Sequence, residues 1–147
     1  MIVIDSVEIQ APPSKVFDWF MHLTENYCDW HPDHIKAEWI KGKPFEIGSI
    51  LYAEEYLHGE KHKIKFKLTE IVENHLIEFR NLFPISLLSP RGSFIIEPKG
   101  VNTLFTATLT FRAGKLLTKI AKKQTELFVK HMEEEGKNLR NILEKKT

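Results

Sequence analysis

The chain has 147 residues, a net charge of +1, 42% hydrophobic residues and 28% charged ones. This is ordinary globular composition at the length of one domain, so residues 1–147 are read as a single domain. Near-neutral charge with scattered lysines excludes the massed basic footprint of a nucleic-acid binder, and the lone Cys28 excludes an intrachain disulfide and a multi-cysteine zinc site.

The N-terminus MIVIDSVEIQ lacks the basic and apolar regions of a signal peptide, and no apolar run reaches the ~18 residues that span a bilayer. The expectation is a soluble cytoplasmic protein. Residues 2–10 alternate, with Val3, Val7 and Ile9 on one face, and read as a strand. Ala11-Pro12-Pro13-Ser14 breaks it, and Val16, Phe17 and Phe20 then follow at helical spacing. Residues 26–34, with Pro32, read as a loop. Ala37 to Lys41 is a strand ended by Gly42 and Pro44. Ser49 to Leu57 and Lys61 to Val72 flank a His58-Gly59-Glu60 turn, a hairpin signal. His75 to Leu82 is a further strand, Leu82 to Pro90 an ordered apolar loop, and Gly92 to Pro98 with Asn102 to Arg112 a second hairpin. Lys115 to Lys145 has no proline and reads as one long helix, with Gly136 its weak point.

The predicted class is α+β. A curved antiparallel sheet of about seven strands wraps a long C-terminal helix, with short helices after the first strand. One face of such a sheet must be covered, and the long helix is the element large enough to do it.

Polar residues interrupt the apolar faces at informative places. Lys61, Lys63, Lys65 and Lys67 share one face of their strand, so His62, Ile64, Phe66 and Leu68 face inward. With Gly59-Glu60 as a two-residue turn, Leu57 falls opposite His62, Glu55 opposite Ile64 and Glu54 opposite Lys65. Glu55 then faces inward, while a one-residue slip would exchange it with Glu54. On the helix, Leu117, Ile120, Gln124, Leu127, Phe128, His131, Glu135, Leu139 and Ile142 form the expected buried stripe. Buried carboxylates need neutralisation or a partner, and no interior Arg or Lys is evident. A divalent cation would serve, held by Glu55, His131, Glu135 and a histidine from the Trp30-His31-Pro32-Asp33-His34 segment. That donor set suits Zn²⁺, and also Mn²⁺ or Fe²⁺. The bland alternative is a buried His131–Glu135 hydrogen bond.

The opening strand followed by Ala11-Pro12-Pro13-Ser14-Lys15-Val16-Phe17 resembles the START-like helix-grip (SRPBCC) superfamily. The likeness covers essentially the whole chain and implies a seven-stranded sheet gripping the C-terminal helix around a ligand cavity. Within it, the 2,4-diacetylphloroglucinol hydrolase-like branch carries His-x-x-x-Glu on that helix, matched here by His131 and Glu135. The resemblance implies a zinc ion held by two His and two Glu. Glu55 matches the strand glutamate and His34 the first histidine, with His31 the close alternative.

Three functions follow as expectations. The first is a metal-dependent, hydrolase-like protein acting on carbon–carbon bonds of a small apolar or aromatic ketone. His62 or Tyr27 would then be the catalytic proton carrier. The second is a non-enzymatic carrier of a hydrophobic small molecule or lipid. The third is a partner-binding module using the 82–88 loop; a homo-oligomer is compatible with the sequence.

Overall fold

A computed structural model describes residues 2–57, 59–112 and 119–145. Its elements, in chain order, are β1 (Ile2–Ile9), α1 (Pro13–Met21), α2 (Leu23–Trp30), β2 (His34–Lys41), β3 (Ile50–Leu57), β4 (Glu60–Val72), β5 (Leu76–Asn81), β6 (Arg91–Lys99), β7 (Asn102–Thr110) and α3 (Lys119–Glu144). The strands make one antiparallel sheet in the order β1-β7-β6-β5-β4-β3-β2. The expected α+β helix-grip architecture is present, with two short helices after the first strand.

α1 starts at Pro13, whose missing N–H has no helical partner to lose at a first turn. Its Val16, Phe17, Trp19 and Phe20 are buried, and Phe20 stacks on Phe94 and Phe105 of the sheet. The core thus begins where the helix meets β6 and β7. The expected loop over 26–34 is corrected: α2 runs to Trp30 because Leu23, Tyr27 and Trp30 recur at helical spacing and bury together. Three residues beyond His31, the chain is already extended at His34, so β2 begins before the expected Ala37.

The β3–β4 register also differs from expectation. Leu57 pairs with Glu60, Glu55 with His62, Ala53 with Ile64 and Leu51 with Phe66, a displacement of two residues. Gly59 takes φ +79°, a left-handed conformation that glycine adopts without a Cβ penalty, and it sits second in the connection rather than first. Because the displacement is even, every side chain keeps its face. Glu54 now lies opposite Lys63 on the outer side, and Glu55 opposite His62 on the inner side. His58 lies outside the described residues.

α3 ends at Glu144, one residue before the expected Lys145, while residues 115–118 lie outside the described part of the chain. Leu117 falls there, and nothing is described of the Ile120 side chain. Thr125, Phe128, His131, Met132, Gly136, Leu139 and Leu143 are buried along α3. His131 is therefore on the covered stripe, which runs through Met132 and Gly136. Glu135 sits at its margin with a 17% exposed side chain. Among the described residues no helix is long and apolar enough to cross a membrane.

Candidate metal centre in an apolar cavity

Between sheet and helix lies a cavity of about 120 Å³ with mostly apolar walls, including Phe20, Leu51, Phe79 and Phe128. Tyr27, Glu55, His131 and Glu135 supply polar atoms to its wall. Loop residues Ile85 and Ser89 also line it, whereas Phe83 and Leu87 of the same loop are 74% and 63% exposed.

The structure brings His34, Glu55, His131 and Glu135 together. One donor atom from each lies within 4.8 Å of the others. His34 Nε2 is 3.1 Å from His131 Nε2, 3.4 Å from Glu55 Oε2 and 2.9 Å from Glu135 Oε2. His131 Nε2 is 3.3 Å from each of the two carboxylate oxygens. A tetrahedral ion with bonds of ~2.0–2.1 Å would set its ligands about 3.3–3.4 Å apart, and these separations cluster around that edge length. The donor set therefore fits a divalent cation in both chemistry and spacing.

Each donor is placed by a local reason. His34 begins β2 and pairs with Glu55 of β3, so the two share a face of adjacent strands. His131 and Glu135 are one turn apart on α3. His34 Nδ1 is 2.7 Å from the backbone oxygen of Tyr27. A carbonyl only accepts, so Nδ1 carries the proton and the Nε2 of the neutral ring presents a lone pair to the cluster. A ligating histidine held by a carbonyl at its other nitrogen is the usual supporting arrangement in metal sites.

Tyr27 stacks on the His34 ring at 3.9 Å between centroids and 7° between planes. Its hydroxyl donates to Glu55 Oε2 at 3.0 Å. Burial, reinforced by the Glu55 and Glu135 carboxylates, pushes the Tyr27 phenol well above its ordinary value, so it stays protonated and acts as a donor. His62 lies across from Glu55 with its ring 6.3 Å from Phe128. Its buried Nε2 has no hydrogen-bond partner.

His31, the alternative to His34, stands beside the cluster. The Asp33 N–H donates to its Nδ1 at 2.9 Å, leaving Nε2 protonated and 3.2 Å from Glu134 Oε1. With His131 and Glu134 it forms a second, more exposed group of possible ligands. Glu54 points outward and meets Lys61 Nζ at 2.8 Å, Lys36 Nζ at 3.5 Å and the Tyr52 hydroxyl at 2.7 Å. The Lys61 and Tyr52 hydrogen bonds hold its carboxyl down at about 2. Without an ion, the inner donors form an ion pair. Burial opposes charge on His131, but the Glu135 and Glu55 carboxylates outweigh it and raise the imidazole to about 10. Burial likewise opposes the charge of Glu135, which His131 and His34 overcome, lowering it to about 2.

Two site features escaped sequence reading. Trp30 Nε1 donates to the Glu135 backbone oxygen at 3.0 Å, and Asn138 Nδ2 donates to the Trp30 oxygen at 3.0 Å, tying α2 to α3. Asn81 brings a buried amide to the cavity wall. The alternation Ile77, Phe79, Asn81 was the signal available for it.

The sequence matches the family profile described as polyketide cyclase / dehydrase and lipid transport over residues 2–144. The chain belongs to that family, in agreement with the START-like resemblance at superfamily level. No functionally curated protein matches the sequence significantly. Among solved structures, the Zhui aromatase/cyclase from Streptomyces sp. R1128 aligns at TM-score 0.81 and 16% identity, covering 98% of this chain and 93% of that one. A START superfamily protein from Mycobacterium smegmatis aligns at TM-score 0.77 and 18% identity, covering 97% of each chain. The major latex-like protein 151 from Panax ginseng aligns at TM-score 0.77 and 12% identity, covering 99% of this chain and 98% of that one. At these identities the likeness is one of fold.

Proposed function

Proceeding from membership of the polyketide cyclase / dehydrase and lipid transport family, we propose that this chain is a metal-dependent, hydrolase-like protein of the diacetylphloroglucinol hydrolase-like branch, acting on a small apolar or aromatic ketone in its internal cavity. The observation that carries this reading is the convergence of His34, Glu55, His131 and Glu135 at tetrahedral-edge spacing on an otherwise apolar wall. These four residues would hold the ion, zinc by the donor set and bond-length match. Bound there, it would supply Lewis acidity for polarising a carbonyl and acidifying water.

The chain's own groups do the rest. The apolar walls exclude bulk water and take the hydrocarbon part of the substrate. Tyr27 orients Glu55 through its hydroxyl and fixes the His34 ring by stacking. His62, paired with Glu55 across β3 and β4 and with a buried, unpartnered Nε2, is the residue we assign to carry a proton. Hydrolysis of a ketone's carbon–carbon bond places the water hydroxyl on the carbonyl carbon and a proton on the departing carbon. His62 is the residue assigned to that proton.

The alternative is a carrier that binds an apolar molecule without chemistry. It is supported by the self-neutralised His131–Glu135 pair, which satisfies the same residues without an ion. Elemental analysis of purified protein separates the two. The metal reading expects about one divalent ion per chain, lost in His131→Ala. A protein that takes up no divalent ion at micromolar concentration, or a His131→Ala variant with full metal content, refutes it.

A further inference from the structure

We propose that Asn81 is a hydroxyl-recognition subsite within the cavity, selecting ligands that carry a neutral hydrogen-bond donor on an apolar body about one ring in size. Asn81 ends β5 and follows Ile77 and Phe79 on its inward face. It is only 3% exposed and lines the cavity. Its backbone N–H donates to the Pro90 oxygen at 3.0 Å, and Nδ2 donates to the Ser89 oxygen at 2.8 Å. Because a carbonyl oxygen only accepts, the second bond fixes which way the amide is turned. Oδ1 is left facing away from Ser89, buried and without any hydrogen-bond partner.

Neighbouring hydroxyls do not serve it. Ser89 Oγ donates to the Thr110 oxygen at 2.7 Å, and Thr108 Oγ1 is engaged with Ser93 Oγ at 2.6 Å. Buried acceptors are almost always paired, and one left unpaired on a residue that lines the cavity points to a partner that arrives with the ligand. A neutral acceptor among apolar walls calls for a hydroxyl rather than an anion. The cavity of about 120 Å³ limits the body that carries it, since an apolar cavity of ~150 Å³ accommodates benzene.

Asn81 pairs with Phe66, four residues along β4 from His62, the partner of Glu55. At ~3.3 Å per residue that is ~13 Å along the sheet, so the amide and the His–Glu cluster mark separate ends of the site. A ligand one ring in size does not bridge that distance, so the carbonyl end near the cluster and the hydroxyl subsite are separate, and phenol is the probe for the subsite. The carbonyl end rests on the proposed function; the hydroxyl subsite stands on Asn81 alone.

Calorimetric titration of the full chain with phenol and with toluene, similar in size but lacking the donor, tests this. Wild type is expected to bind the hydroxyl compound about tenfold more tightly, and Asn81→Leu to lose that preference. Independently of any variant, the Asn81 side-chain amide resonances are expected to shift with the hydroxyl compound and not with the methyl one. Equal affinities in wild type, no binding of either compound, or an unchanged preference in Asn81→Leu overturns the proposal. Elemental analysis of the same protein separates the two readings: a preference found in protein that takes up no divalent ion leaves the subsite standing and removes only the hydrolase.

Discussion

Adjacent glutamates in β3 have opposite environments because strand side chains alternate. Glu54 lies on the outer face, covered and held by Lys61, Lys36 and Tyr52, while Glu55 faces two histidines on the inner face. Glu55→Gln is expected to weaken divalent-ion affinity at least ~100-fold, because it removes a ligand and leaves the Tyr27 donor aimed at an amide. Glu54→Gln, one residue away, is expected to leave that affinity unchanged; competition titration with a zinc-sensitive dye reads both.

The inner pair also sets a pH profile for the ion-free protein. His131 is raised from 6.5 to about 10, so its stabilisation is complete below about 6.5 and is lost as pH rises through about 10. Glu135 is lowered from 4.5 to about 2, so its stabilisation is complete above about 4.5 and is lost as pH falls through about 2. Thermal melts in EDTA are expected to be flat between about pH 4.5 and 6.5 and to fall on either side. His131→Gln is expected to flatten the alkaline limb; a melting temperature constant up to pH 10 in wild type contradicts the assignment.

Elements were legible where periodicity was strong. The lysine face of β4 identified the inner face, and with it His62 and Glu55, even though the register was displaced, because a two-residue displacement preserves side-chain parity. The helical spacing of His131 and Glu135 identified their shared turn. A second short helix was expected, but its extent was not legible: Pro32 and neighbouring aspartates mask the Leu23, Tyr27, Trp30 spacing, and only tertiary burial against α1 and His34 shows 26–30 as helix. The tie between Trp30 and α3 had no local signal at all, since its partners are more than a hundred residues apart.

Close approach at glycines gives opposite expectations in two elements. A Cβ at Gly92 of β6 would meet Phe79 Cζ at 2.6 Å and the Thr108 backbone oxygen at 2.8 Å. Gly92→Ala is expected to cost about 1–3 kcal/mol through overpacking. A Cβ at Gly136 of α3 would meet only the end of the flexible Asp5 side chain at 2.8 Å and make an ordinary contact with Val7 at 3.7 Å. There the gain in helix propensity wins, and Gly136→Ala is expected to stabilise by roughly 0.5–1 kcal/mol. Urea denaturation of the two variants checks both signs.

On the scale of the whole molecule, the four donors join parts of the fold that are far apart in sequence and in the sheet. β1 and β2 are the two edges, six strands apart in spatial order, and α3 packs chiefly on β1. Through His131 and Glu135 the same helix reaches His34 of β2 and Glu55 of β3. An ion held by these residues would link the helix to the opposite edge of the sheet and close one end of the cavity. Binding the native but not the unfolded chain, it would stabilise by ~2.7 kcal/mol at a free concentration of 100 times Kd. A zinc-dependent rise in melting temperature is therefore expected in wild type, reversed by EDTA and absent in His34→Ala, Glu55→Ala and His131→Ala alike. Because the residues act as one site, combining two of these substitutions should remove no more of the zinc response than either alone. Hydrogen exchange around residues 128–135 should slow with zinc in step with the melting temperature; a zinc response that survives Glu55→Ala and is lost in Glu134→Ala would instead place the ion at the group of His31, His131 and Glu134.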